Sequence, residues 1–84
     1  MDVEVRLYGA LRRHRPADIS GAPHLPFSLT LPTGATLDTL CQQLQIPDGF
    51  INAAVNSEAV EISYPLKDGD RVSLFPPVAG GRDV

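Results

Sequence analysis

The chain has 84 residues, 43% of them hydrophobic, and carries 7 basic and 10 acidic side chains for a net charge of −3. That length suits one small domain, the apolar fraction argues against disorder, and the mild negative charge argues against nucleic acid as the main ligand. No apolar run is long enough to span a membrane, the opening Met1-Asp2-Val3-Glu4 lacks the regions of a secretion signal, and a single cysteine cannot form an internal disulfide, so a cytoplasmic protein is expected.

Val3, Val5 and Leu7 alternate with Glu4, Arg6 and Tyr8, the period-two pattern of a half-buried strand. Gly9 to His24 is polar and broken by Pro16, Gly21 and Pro23; it reads as one short helical turn near Ala10–Arg13 followed by a loop. Within it, Arg12-Arg13-His14-Arg15 reads as a solvated basic run, with a polyanion contact as the alternative. Leu25, Phe27, Leu29 and Leu31 alternate again and predict a second strand, at a sheet edge because of Pro26.

After the turn at Pro32-Thr33-Gly34, Thr36 suits a helix N-cap and Asp38 places negative charge in the first turn. Leu37, Leu40, Cys41 and Leu44 make one apolar stripe on a helix of about ten residues, ended by Ile46-Pro47. Cys41 on that stripe reads as a small buried hydrophobe, with a sulfur-relay thiol as the alternative. From Ile51 the pattern returns to strands: Ala53-Ala54-Val55, a hairpin turn at Asn56-Ser57, then Val60, Ile62 and Tyr64 on the returning side. Lys67-Asp68-Gly69-Asp70 is a turn, its two carboxylates too few for a calcium site, and Arg71–Phe75 is the last strand.

The order strand, strand, helix, strand, strand, strand predicts an α+β fold of the ubiquitin-like β-grasp type: a mixed sheet of about five strands with one main helix on one face. Residues 1–75 then form the domain and residues 76–84 an extended C-terminal tail, "PPVAGGRDV". From Pro76 to Gly81 that tail reaches about 20 Å, long enough to enter a deep pocket on another protein. The Pro76-Pro77 pair fixes a launch direction, and Gly80 and Gly81 let a narrow channel close around bare backbone. If Val72 and Leu74 face the helix, Arg6, Tyr8 and Phe75 lie together on the opposite face, an exposed patch beside the root of the tail. No phosphate-cradling GxxxxGK and no Ser/His/Asp set is present, and neither His14 nor His24 has ligands around it.

"FPPVAGG", "PLKDGDRVSL", "AAVNSEAV", "VRLYGALR" and "GATLDTLCQQL" together resemble the MoaD/ThiS sulfur-carrier family, on the branch of molybdopterin synthase small subunits. The resemblance implies that Gly81 is adenylated with ATP by an E1-like activating enzyme and then converted to a thiocarboxylate. It also implies that the carrier is not itself an enzyme and docks on the large subunit of molybdopterin synthase. There Pro76, Pro77, Val78, Ala79 and Gly80 thread the channel, and the sulfur passes to a cyclic pyranopterin. The chain would bind no cofactor or metal of its own; ATP and the sulfur donor belong to the partner enzyme. One departure matters: Arg82-Asp83-Val84 follow the second glycine, so the Gly81 carbonyl is a peptide bond. A processing protease, residues foreign to the natural chain, or a carrier that is never charged would each account for it. A β-grasp carrier for thiamine, cysteine, tRNA or a tungsten cofactor remains open here, as does an uncharged ubiquitin-like interaction module or protein modifier.

Overall fold

The computed structural model describes residues 1–47 and 51–76. Along the chain run β1 (Asp2–Leu7), a 3-10 turn (Gly9–His14), β2 (Phe27–Thr30), α1 (Leu37–Gln43), β3 (Asn52–Val55), β4 (Glu58–Val60) and β5 (Arg71–Phe75). The five strands form one sheet in the order β2-β1-β5-β3-β4. At its centre β1 and β5 are parallel, Val5 beside Val72 and Leu7 beside Leu74; β2 pairs antiparallel with β1, and β3 antiparallel with both β5 and β4. This is the expected β-grasp arrangement, with the Pro26-led strand at an edge.

The alternation in β1, β2, β3 and β5 sends Val3, Val5, Leu7, Phe27, Leu29, Ala53, Val55, Val72 and Leu74 to one face. There they join Leu37, Leu40 and Cys41 of α1 in a single buried cluster. Burying a side chain such as Leu40 or Leu74 contributes roughly 1.5–3 kcal/mol, and this one-sided core is what leaves the other sheet face to solvent.

Four departures from the sequence pattern have physical causes. The returning strand after the hairpin stops at Val60, and Ile62 is exposed rather than ladder-paired. The segment beyond it crosses to the start of α1 instead: the Tyr64 and Ile62 carbonyls accept from the Leu37 and Asp38 amides. Thr36 accepts from the Thr39 amide and Thr39 Oγ1 accepts from the Thr36 amide, so all four amides at the helix start are satisfied. The helix has seven residues, not ten, and it ends before Ile46-Pro47 rather than because of them. Gln45 turns to φ 60°, its amide donating to the Gln42 carbonyl while that of Ile46 donates to Cys41, which is a Schellman closure. The second strand begins at Phe27, and Leu25 is exposed, because its carbonyl accepts from the Arg15 guanidinium in the loop.

The basic run is correspondingly not wholly a solvated stretch. Arg15 is half-buried; its guanidinium donates to the Leu25 and Ser20 carbonyls and lies 5.2 Å from the centre of the Phe27 ring. The His14 imidazole donates from Nδ1 to the Leu44 carbonyl at 3.2 Å, closing the C-terminal end of α1.

Candidate functional site

The site is the end of β5 and the sheet face around it. Phe75 pairs with Asn52 of β3 on one side. On the other, the Tyr8 amide donates to the Leu74 carbonyl at 3.0 Å, carrying the parallel ladder one residue past β1. β5 is therefore held on both flanks up to its last residues, so Pro76 starts from a fixed position. The Tyr8 and Phe75 rings stack with centroids 4.6 Å apart and planes 21° from parallel. Phe75 is exposed and Tyr8 half-buried, both on the face opposite α1. Aromatic stacking of this geometry contributes about 0.5–1.5 kcal/mol beyond area burial. It also presents a flat apolar surface at the point where the chain leaves the sheet.

Directly after Tyr8 the chain turns at Gly9, which has φ +56°. A Cβ there would sit 3.0 Å from Pro76 Cγ, so the Pro76 ring lies close against the Gly9 backbone at this position. Sequence reading assigned Gly9 no part in the site; a glycine directly after a strand was the available signal, but only the three-dimensional approach to Pro76 gives it meaning.

The structure brings Arg6, Tyr8, Phe75 and Pro76 of the expected site together. Arg6 is exposed beside Ser73, two residues along the ladder from the stacked rings. The expected tail residues Pro77, Val78, Ala79, Gly80 and Gly81, and the Arg82–Val84 extension, lie outside the described residues. Cys41 is buried in the core cluster, away from this face. Among the described residues no group of three or more His, Cys, Asp or Glu side chains could hold a metal ion, and no helix is long and apolar enough to cross a membrane.

A further element of this region escaped the sequence pattern. The Lys67–Asp70 turn lies at the opposite end of β5, and its two carboxylates have different duties. Asp70 is buried; it accepts from the Lys67 amide at 2.8 Å and from Asn56 Nδ2 at 3.0 Å. Asn56 Oδ1 in turn accepts from the Arg71 amide, tying the β3–β4 hairpin to the start of β5. Asp68 is exposed and, among the described residues, accepts only from the Asp2 amide.

A five-stranded β-grasp sheet that delivers a C-terminal segment from its central strand defines a ubiquitin-like domain. Comparison with known proteins narrows this: the ThiS family model matches residues 16–81, and the chain belongs to that family. The Escherichia coli molybdopterin synthase sulfur carrier subunit is 53% identical over 38 residues, a stretch covering 45% of this chain and 47% of that protein. The chain thus spans about half the length of this curated relative. Among solved structures, a protein described as subunit 1 of molybdopterin converting factor from Pyrococcus furiosus is 27% identical. It aligns over 92% of this chain and 98% of its own, with a TM-score of 0.67. A chain in the complex of subunits 1 and 2 of molybdopterin-converting factor from Helicobacter pylori is 31% identical, with 96% and 100% covered and a TM-score of 0.59.

Proposed function

We propose that this chain is a sulfur carrier acting as the small subunit of a molybdopterin synthase, in the cytoplasm, and that Gly81 is the residue that bears the sulfur. The observation that carries the reading is the family match, which runs through the paired glycines to Gly81, on a domain that presents Pro76 from the end of its central strand. The 53% identity to a sulfur carrier subunit supports the assignment to the molybdopterin branch.

The chemistry is confined to one carbonyl carbon. Because Gly81 is followed by Arg82, a protease first adds water across that peptide bond and frees the Gly81 carboxylate. An E1-like partner then has this carboxylate attack the α-phosphorus of ATP, expelling pyrophosphate and leaving an acyl-adenylate. Hydrosulfide equivalent from a sulfur donor attacks the acyl carbon and expels AMP, leaving a thiocarboxylate. Glycine suits each attack because no side chain crowds the carbon and positive φ costs it little. The thiocarboxylate sulfur finally attacks a carbon of a cyclic pyranopterin in a second subunit and displaces an oxygen leaving group; water then cleaves the resulting thioester, leaving the sulfur on the pterin and Gly81 as its carboxylate. The occurrence of the Helicobacter neighbour in a two-subunit complex supports docking of this kind.

The chain supplies no ATP site and no catalytic side chain in this scheme. It supplies reach, a fixed root at Pro76, and the Arg6, Tyr8 and Phe75 face for docking. Of these, the stacked pair is suited to lie at the centre of the contact, since aromatic anchors carry a large share of interface energy.

The test is to isolate the chain from host cells making the pterin cofactor and weigh it intact. Loss of Arg82-Asp83-Val84, and replacement of one oxygen by sulfur at the new terminus, is the expected result. A full-length chain with no sulfur gained, in cells producing the cofactor normally, refutes the proposal.

A further inference from the structure

The face that carries Tyr8 and Phe75 also carries charge. β1 sends Glu4 and Arg6 to it, and β5 sends Arg71 and Ser73, with Glu4 beside Arg71 and Arg6 beside Ser73 in the ladder. Arg6 and Arg71 are thus diagonal neighbours, about 8 Å apart at the backbone from the strand spacing and a two-residue rise. With Glu4, Asn56, Ser57 and Ser73 they line a polar cleft of about 370 Å³. Neither guanidinium makes a hydrogen bond or ion pair with the described residues, and the Glu4 carboxylate makes none either. The remaining carboxylates nearby are committed elsewhere: Asp70 to Lys67 and Asn56, Asp2 to Thr30. Two cations therefore face one uncommitted anion in the cleft.

Geometry decides whether a docking partner can avoid this cleft. An ordinary interface covers about 800 Å² on each partner, a disc of radius about 16 Å. Centred on the stacked rings, it includes Arg6, which lies beside Ser73 two residues along β5 from Phe75. It also reaches Arg71, four residues or about 13 Å along the strand. Covering guanidinium groups without giving them acceptors incurs a large desolvation cost. A partner that binds here must therefore meet them with acceptors, and a carboxylate matches the planar guanidinium fork two bonds at a time.

We infer that the protein which receives the tail presents an acidic surface, with carboxylates seated against Arg6 and Arg71, next to the apolar surface that covers Tyr8 and Phe75. The inference rests on the sulfur-carrier reading and adds the chemistry of its partner. It assigns Arg71, at the end of β5 remote from the tail, a role in recognition that the tail alone would not give it. It also makes association salt-dependent: at 0.1 M salt the screening length is about 10 Å, so steering by these charges fades as ionic strength rises.

The experiment measures binding of the chain ending at Gly81, the form that the proposed function docks, to the purified second subunit of its own synthase, by titration calorimetry for Kd and stopped flow for the association rate. Salt is raised from about 50 to about 300 mM, a range over which surface charges are progressively screened. The variant R6Q/R71Q should raise Kd about tenfold or more and flatten the salt dependence of the association rate. R6K/R71K should keep the salt dependence and lose part of the affinity, because lysine keeps the charge but not the fork. Circular dichroism melts check that each variant folds, which is expected because both side chains are exposed and unpaired. A Kd within twofold of wild type for R6Q/R71Q, with an unchanged salt slope, overturns the inference. If Y8A weakens binding while R6Q/R71Q does not, the docking face stands and its acidic partner surface is refuted. If the chain ending at Gly81, with no other change, does not bind the second subunit at all, the sulfur-carrier reading falls and this inference falls with it.

Discussion

Asp68 and Asp70 sit two residues apart in one turn, yet replacing them should have very different consequences. The Asp70 carboxylate is 7% exposed and accepts two hydrogen bonds, from the Lys67 amide and from Asn56 Nδ2. Asp70→Ala leaves both donors without an acceptor in a space water enters poorly. Bonds to a charged group contribute about 1.5–3 kcal/mol each, and partial relaxation lowers the sum, so a loss of about 3 kcal/mol is expected. Asp68 accepts one bond, from the exposed Asp2 amide, which water can replace; Asp68→Ala should therefore cost about 0.5–1 kcal/mol. For a domain of this size the larger loss lowers the melting temperature by about 12–24 °C. Urea and thermal unfolding followed by far-ultraviolet circular dichroism give both numbers. A double-mutant cycle of Asp70→Ala with Asn56→Ala then isolates the coupling between the turn and the hairpin, expected to be about 1 kcal/mol. Losses for the two aspartates that agree within about 1 kcal/mol, inside the ordinary scatter of surface substitutions, refute the reasoning.

Gln45 closes the helix at φ 60°, where a side chain costs about 1–2 kcal/mol. Gln45→Gly should raise stability by about 0.5–1 kcal/mol after glycine's own entropy cost, read as a higher urea midpoint. Arg15→Ala removes the donors that gather Ser20 and Leu25 and the cation over Phe27. It should cost about 2 kcal/mol, and hydrogen exchange should speed up between residues 17 and 26 while β1 and β5 stay protected. Tyr8→Ala and Phe75→Ala each break the stacked pair. Each should cost about 1 kcal/mol of folding stability but raise the Kd for the second subunit about thirtyfold or more, since docking anchors lose about 2 kcal/mol or more on truncation.

What the sequence made legible was whatever depends on local period. β1 and β5 read directly from Val3, Val5 and Leu7 and from Val72 and Leu74, because one buried face enforces alternation. The N-terminus of α1 was legible in Thr36 because a cap is a contact between near neighbours. The Arg6, Tyr8 and Phe75 cluster followed from alternation together with the parallel pairing of first and last strands. The misreadings occur where a distant partner outbids a local pattern. Ile62 and Tyr64 continue the period of β4, but their carbonyls are drawn to the helix amides of Leu37 and Asp38. Leu25 continues the period of β2, but Arg15 holds its carbonyl. Arg15 itself looked like one of four similar basic residues, since nothing in Arg12-Arg13-His14-Arg15 indicates which side chain turns inward. Asp68 and Asp70 were equivalent for the same reason: the sequence shows the turn, and only the hairpin arriving with Asn56 distinguishes them.

The proposed reactive residue leaves no trace of the kind by which active sites are usually found. Glycine has no side chain to titrate, to line a cavity or to point at a substrate, so every electrostatic and steric demand of the chemistry falls on the proteins that receive the tail. On the proposed reading this chain must contribute position, and position is what its topology supplies. A C-terminal strand at a sheet edge would hold its last residue by one ladder and fray from that end. β5 instead lies between β1 and β3, bonded on both flanks at Leu74 and Phe75. Its side chains Val72 and Leu74 are among the most buried in the protein. Fraying the root of the tail therefore means breaking two ladders and exposing core. The stability of the domain and the definition of the tail's starting point are in this way the same quantity. Substitutions in the sheet centre should weaken delivery in proportion to local opening at Phe75, whereas those in the loop held by Arg15 should leave it unchanged.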